Sequence, residues 1–192
     1  MQSSGFSLLE VLVAIAVMVI VAGAGLPLAQ GSVDRSRTAA AAHYVAGRIA
    51  AARFEAAQRS AFVAIRFVAG TGGYGLRAYV DGNGNGVLTP DIASSVDAPL
   101  TSEERLDYHF PGVSFGILAN ITSIDTGQPI GSSDPIQIGS STLLSMNPNG
   151  SSTSGTLFIR GHASQFAVRV LGATGRTRVF EFDFGNTKWR TH

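Results

Sequence analysis

The 192-residue sequence has no cysteine, which removes disulfides, thiolate metal sites and cysteine nucleophiles together. Charge is also scarce: 14% of residues are charged and the formal net charge is +1. A field that weak does not specify nucleic acid or an anionic surface as a partner, so any such case must rest on a local patch. No lysine or arginine precedes Arg35, and no acid lies between Glu10 and Asp34. The four histidines, His43, His109, His162 and His192, are scattered, and neither a GxSxG elbow nor an acid pair placed for proton transfer is present. The chain therefore reads as a non-enzyme, and no cofactor is expected. Against these absences stands an apolar content of 45%, enough to support a real core in one ordinary domain with an appendage.

The appendage is the N-terminus. From Val11 to Leu28 about eighteen residues carry no charge, which at ~1.5 Å per residue gives roughly 27 Å, close to a bilayer core. This predicts one membrane-spanning helix. A secretory signal peptide is the competing reading, with AGAG at Ala22 to Gly25 imitating a cleavage site, but the apolar run is long and a basic leader is missing. Pro27, with Gly23 and Gly25, predicts a kink or a locally melted turn. Glu10 stands at the edge of the run, where an ionisable group is costly and usually has a partner or a purpose.

The residues around that acid, Gly5-Phe6-Ser7-Leu8-Leu9-Glu10, resemble the processing signature of type IV pilins and type II secretion pseudopilins. The resemblance implies cleavage by prepilin peptidase after Gly5, N-methylation of the new terminal Phe6, and an assembly role for Glu10. Such a cut creates an ammonium one helical turn from the Glu10 carboxylate, and opposite charges attract strongly at low dielectric. In a filament, Glu10 of an incoming subunit would neutralise the Phe6 amine of its neighbour. Two features depart from the family: the leader MQSSG is not basic, and Arg35 and Arg37 lie beyond the span. Charge alone would place the C-terminal part in the cytoplasm. The cleavage motif overrides that rule and implies a periplasmic or extracellular C-terminal domain.

Beyond the span, Ala41, Val45, Ile49, Ala52 and Ala56 recur at spacings of three and four within an alanine- and arginine-rich stretch from Ser32 to about Gln58. That periodicity predicts a helix with one packing face. After Ser60 the pattern becomes short alternating runs, at 61–68, 74–80, 113–118, 155–160, 165–171 and 177–184, separated by Gly, Ser, Asn and Pro. They predict antiparallel sheet packed on the helix. Residues 120–154 read as long loops with one or two short strands.

Three loops invite chemistry. GTGGYG, Gly70 to Gly75, matches a dinucleotide-binding spacing, but LRAYV follows where a helix is required, so it reads as a hairpin turn. In DGNGNG, residues Asp81, Asn83 and Asn85 match the first half of a calcium loop, whose twelfth position is Ile92 instead of an acid. A tight turn is the preferred reading, since Asn and Gly tolerate positive φ. In GRTR, Gly175 to Arg178, two arginines at i and i+2 can project together toward phosphates. Lys188 and Arg190, flanking Trp189, would add charge and a stacking surface. The competing reading is an ordinary basic hairpin.

Three segments, AYVDGNGNGVLTPD, LSMNPNGSSTSGTLFIR and VRVLGATGRTRVF, resemble the GspH/FimT-like branch of minor pilins. The implied fold is an α+β pilin, a long N-terminal helix packed on antiparallel β-sheet. Its implied parts are a leader at 1–5, a membrane or filament-core helix at 6–28, the periplasmic half of the helix at 29–59, and a globular β-rich domain at 60–192. The implied function is that of a minor subunit of a type IV pilus or a type II secretion pseudopilus in the bacterial inner membrane, with other pilins as partners. The alternative is DNA binding during uptake, through Arg176 and Arg178.

Overall fold

The computed structural model describes residues 7–139 and 141–192, the side chains of 21–29 excepted. One helix, α1 (Leu8–Arg59), accounts for the first quarter of the chain. It runs without interruption through Pro27, so the expected melted turn is not present there. A proline in a helix removes a single i→i−4 bond, a loss that helical residues on both sides can bridge. The helix stops at Ser60, which adopts a left-handed conformation (φ 52°) and donates its N–H back to Ala56 and Ala57.

The remaining elements are β1 (Val63–Gly70), β2 (Gly73–Val80), α2 (Thr89–Ala93), β3 (Ala98–Pro99), β4 (Glu104–Arg105), α3 (Leu106–His109), β5 (Ser114–Phe115), β6 (Ile136–Ile138), β7 (Leu143–Met146), β8 (Gly155–Arg160), β9 (Gln165–Leu171), β10 (Arg176–Asp183) and β11 (Lys188–Thr191). They form two antiparallel sheets. The first runs β3-β2-β1-β7, with β4 also on β2; the second runs β11-β10-β9-β8-β5, with β6 also on β8. GTGGYG is the β1–β2 hairpin turn, Gly70 pairing with Gly73. The chain crosses between sheets from β7 to β8. That stretch reads locally as a strand–turn–strand unit, but its two strands pair with different neighbours, β7 with β1 and β8 with β9.

Both sheets lay one face on the same stripe of α1. Ala41, Val45, Ile49, Ala52 and Ala56 are all buried, as the spacing predicts, and meet Val63, Ile65 and Phe67 of β1 and Leu157, Ile159, Phe166, Val168 and Val179 of the second sheet in one core. Because side chains alternate along a strand, the intervening residues face away from the helix. Those are Ala64, Arg66, Arg77 and Tyr79 on the first sheet and Thr156, Arg169, Arg176 and Arg178 on the second. Ala64 and Tyr79 are buried there with Val87 and Leu143 in a smaller apolar cluster. The architecture is the α+β arrangement expected.

Among the described residues, the stretch of α1 from Leu8 to Ile20 has no such partner. Leu8, Leu9, Val11, Leu12, Val13, Ile15, Val17, Met18, Val19 and Ile20 are exposed around the whole circumference of the helix. Among the described residues no helical stretch is long and apolar enough to cross a membrane. The described apolar side chains run only from Leu8 to Ile20, about 20 Å of helix, and the rest of the predicted span, 21–28, lies outside them.

Candidate functional site

Gly5 and Phe6 lie outside the described residues. Ser7 is extended (φ −72°, ψ 143°) and starts the helix, its carbonyl accepting the N–H of Glu10 at 3.0 Å and of Val11 at 3.2 Å. Glu10 thus occupies the first turn, where the helix dipole favours an anion. Its side chain is exposed among Leu8, Leu9, Val11 and Leu12, and it is the only charged residue between Ser7 and Asp34. One carboxylate on an otherwise uncharged, uncovered rod is the arrangement an external cation would recognise.

The arginine turn is built differently from the way its residues suggest in isolation. Arg176 and Arg178 share the outer face of β10, both exposed, and among the described residues neither has a carboxylate within ion-pair distance. Directly across from Arg178 on β9 is Arg169, a third arginine that the sequence reading passed over. Asp125, reaching over from the loop that follows β5, forms an ion pair with Arg169. The turn itself is anchored on the helix, where Arg53 donates to the Thr174 carbonyl at 3.1 Å. Gly175 has φ +59°, and a Cβ there would sit 2.6 Å from the Gly150 carbonyl oxygen, so this position needs glycine on both conformational and steric grounds.

Lys188 and Arg190 are not brought to that site. Glu181 pairs with Arg190 and Asp183 with Lys188, which puts both cations on the helix-facing side of the sheet, opposite to Arg176 and Arg178. Lys188 lies roughly 17 Å farther along the strand direction than Arg178, taking ~3.4 Å per residue. Arg190 is moreover bonded to Asp183 at 2.5 Å. Trp189 is no open stacking platform either: it is half-buried against Phe158 and Phe182 and donates its indole N–H to the Thr122 carbonyl at 2.7 Å.

In the DGNGNG loop, Asp81 is buried and accepts the backbone N–H groups of Asn83 (3.0 Å), Gly84 (2.7 Å) and Gly86 (2.8 Å). Burial opposes its charge, but these bonds outweigh that and hold its carboxyl below the usual carboxylate range. Asp97, also buried, accepts from Gly82 and Leu88 and closes the loop from the far side. Asn83 and Asn85 both donate to Asp91. The loop is a self-satisfied turn, and among the described residues no cluster of three metal-ligating side chains occurs. The histidines also have local roles: His43 meets His192 at 3.2 Å between ring nitrogens, and His109 packs on Tyr44.

No curated protein and no solved structure matches the chain. The family description "Prokaryotic N-terminal methylation motif" matches residues 1–26. That motif implies a membrane-anchored subunit, processed by prepilin peptidase and assembled with other pilins, in a group whose role is structural. Residues 1–26 thus carry the methylation motif that is the hallmark of prepilin-type proteins, the type IV pilins and pseudopilins, and the α+β body that follows is consistent with a pilin fold.

Proposed function

We propose that the chain is a minor subunit of a type IV pilus or type II secretion pseudopilus. In this reading it is cut between Gly5 and Phe6, methylated on Phe6, and held in the inner membrane by residues 6–28 until assembly. Residues 29–59 and the globular part, 60–192, then project into the periplasm. The observation that carries the proposal is the methylation motif running into a helix whose stretch from Leu8 to Ile20 is apolar, exposed and marked by one acid. Exposed apolar surface on that scale is unfavourable in water and demands lipid or other helices. An ammonium on Phe6 gives Glu10 its counter-charge across two subunits. Intact mass of protein recovered from membranes tests this: loss of MQSSG plus one methyl group is expected, and an unprocessed mass refutes it. Glu10→Gln is expected to be processed normally but to be missing from sheared filaments.

A second reading is favoured by the outward face of β9 and β10. Three arginines share that face, and among the described residues only Asp125 is paired with any of them. A surface of this kind suits DNA phosphates, and the site comprises Arg176, Arg178 and Arg169, without Lys188 or Arg190. Binding of residues 30–192 to duplex DNA across a salt series is expected to weaken steeply with salt. The Arg176→Ala/Arg178→Ala variant should show a log–log slope smaller by about 2. Unchanged affinity in that variant refutes the DNA reading and leaves the structural one standing.

A further inference from the structure

The outward face of the first sheet carries a second pair of opposed arginines. Arg66 of β1 and Arg77 of β2 are direct partners across the antiparallel ladder. Side chains so placed have Cβ atoms about 5 Å apart, and like charges there destabilise the pair. On the second sheet the molecule answers such crowding with a carboxylate, Asp125 on Arg169 opposite Arg178. Neither Arg66 nor Arg77 has one among the described residues. Glu103, whose carboxylate lies over Gly75 on the same face, makes no ion pair with them.

The Arg77 guanidinium is also held in place. Arg77 donates its Nε–H to the Thr101 carbonyl at 2.9 Å and stacks over the buried Tyr79 ring, 5.6 Å from its centroid. Arg66 is half-buried between Arg77 and Leu143, and its Nε is shut off from solvent without any acceptor. A buried N–H donor left unmatched is costly, more so on a charged group. Two cations side by side, with no carboxylate between them among the described residues, form an incomplete coordination shell.

We propose that Arg66 and Arg77 bind one oxyanion, a phosphate or a carboxylate group, whose oxygens accept from the terminal N–H groups of both guanidiniums. Forked guanidinium bonds match either anion, and the charge removes the cross-strand repulsion. The site is separate from the arginines of β9 and β10 and does not depend on the DNA reading.

The test is thermal unfolding of the full chain in detergent, with inorganic phosphate or acetate titrated at constant ionic strength against chloride. A saturable rise in Tm, about 3–6 °C at tenfold excess over the dissociation constant, is expected with at least one anion. Whichever anion produces the rise identifies the class. The rise should vanish in Arg77→Gln and in Arg66→Gln. Should either variant misfold, ¹⁵N spectra of the parent serve instead, where the Arg66 and Arg77 Nε–H signals should shift together with the same midpoint. No anion-specific rise, a rise kept in the variants, or Arg77→Gln stabilising the chain without any response to anions would each overturn the proposal.

Discussion

Asp34 shows how one residue can couple the helix to a distant hairpin. From α1 it accepts the N–H groups of His162 (2.7 Å) and Ala163 (3.0 Å) and the hydroxyl of Ser164 (2.7 Å), all in the turn between β8 and β9. Gly161 passes so close to Asp34 and Thr38 that a Cβ there would collide with both. Burial works against the Asp34 charge, yet the donors prevail and its carboxyl titrates below the usual range. Glu181, bonded by Arg35, is lowered as well. A carboxylate depressed in the folded state stabilises fully above its unfolded pKa, ~3.9 for Asp, and loses that contribution as pH falls through the lower folded value. Tm is therefore expected to fall on acidification below about pH 4. Asp34→Asn should be less stable by about 1–2 kcal/mol at neutral pH and show a shallower acid fall, measured by calorimetry across pH. An unchanged acid profile would show that Asp34 contributes no proton linkage.

At the scale of elements, α1 is one helix in two environments, and single substitutions separate them. Ile49 is fully buried where both sheets converge, so Ile49→Ala is expected to cost about 2–5 kcal/mol in urea unfolding. Phe54, only five residues on but 67% exposed, should tolerate Phe54→Ala within about 0.5 kcal/mol. The hairpin between β9 and β10 depends on its docking to the helix as well as on its own turn. Gly175→Ala must relieve both the left-handed backbone and the contact with Gly150. It is expected to destabilise by about 1–3 kcal/mol and, if the arginine face binds DNA, to weaken that binding without removing any charge.

The whole molecule divides by what covers its apolar surface. From Thr38 onward one stripe of the helix is buried by the two sheets, whereas among the described residues nothing covers it from Leu8 to Ile20. Residues 30–192 alone are therefore expected to keep the Tm of the body within a few degrees and to stay in aqueous solution, while the full chain sediments with membranes. A truncated body that fails to fold would show that the N-terminal half supports the core, contrary to the contacts seen. The two outward arginine pairs, Arg66 with Arg77 and Arg169 with Arg178, sit on different sheets and should respond to salt and anions independently.

Features encoded by local periodicity and short motifs are legible from the residues alone. The stripe from Ala41 to Ala56 repeats within one helix, the strands at 155–160 and 165–171 alternate within a few residues, and the methylation motif is contiguous, so none of them needs a distant partner. Everything that depends on which strand lies beside which emerges only on folding. β11 is short and polar, and it is a strand because β10 offers it an edge; that pairing turned Lys188 and Arg190 away from Arg176 and Arg178. The pairing of β9 with β10 added Arg169, and that of β1 with β2 set Arg66 against Arg77. Parity along a strand is local, but the face two strands share is fixed by register, which long-range packing selects.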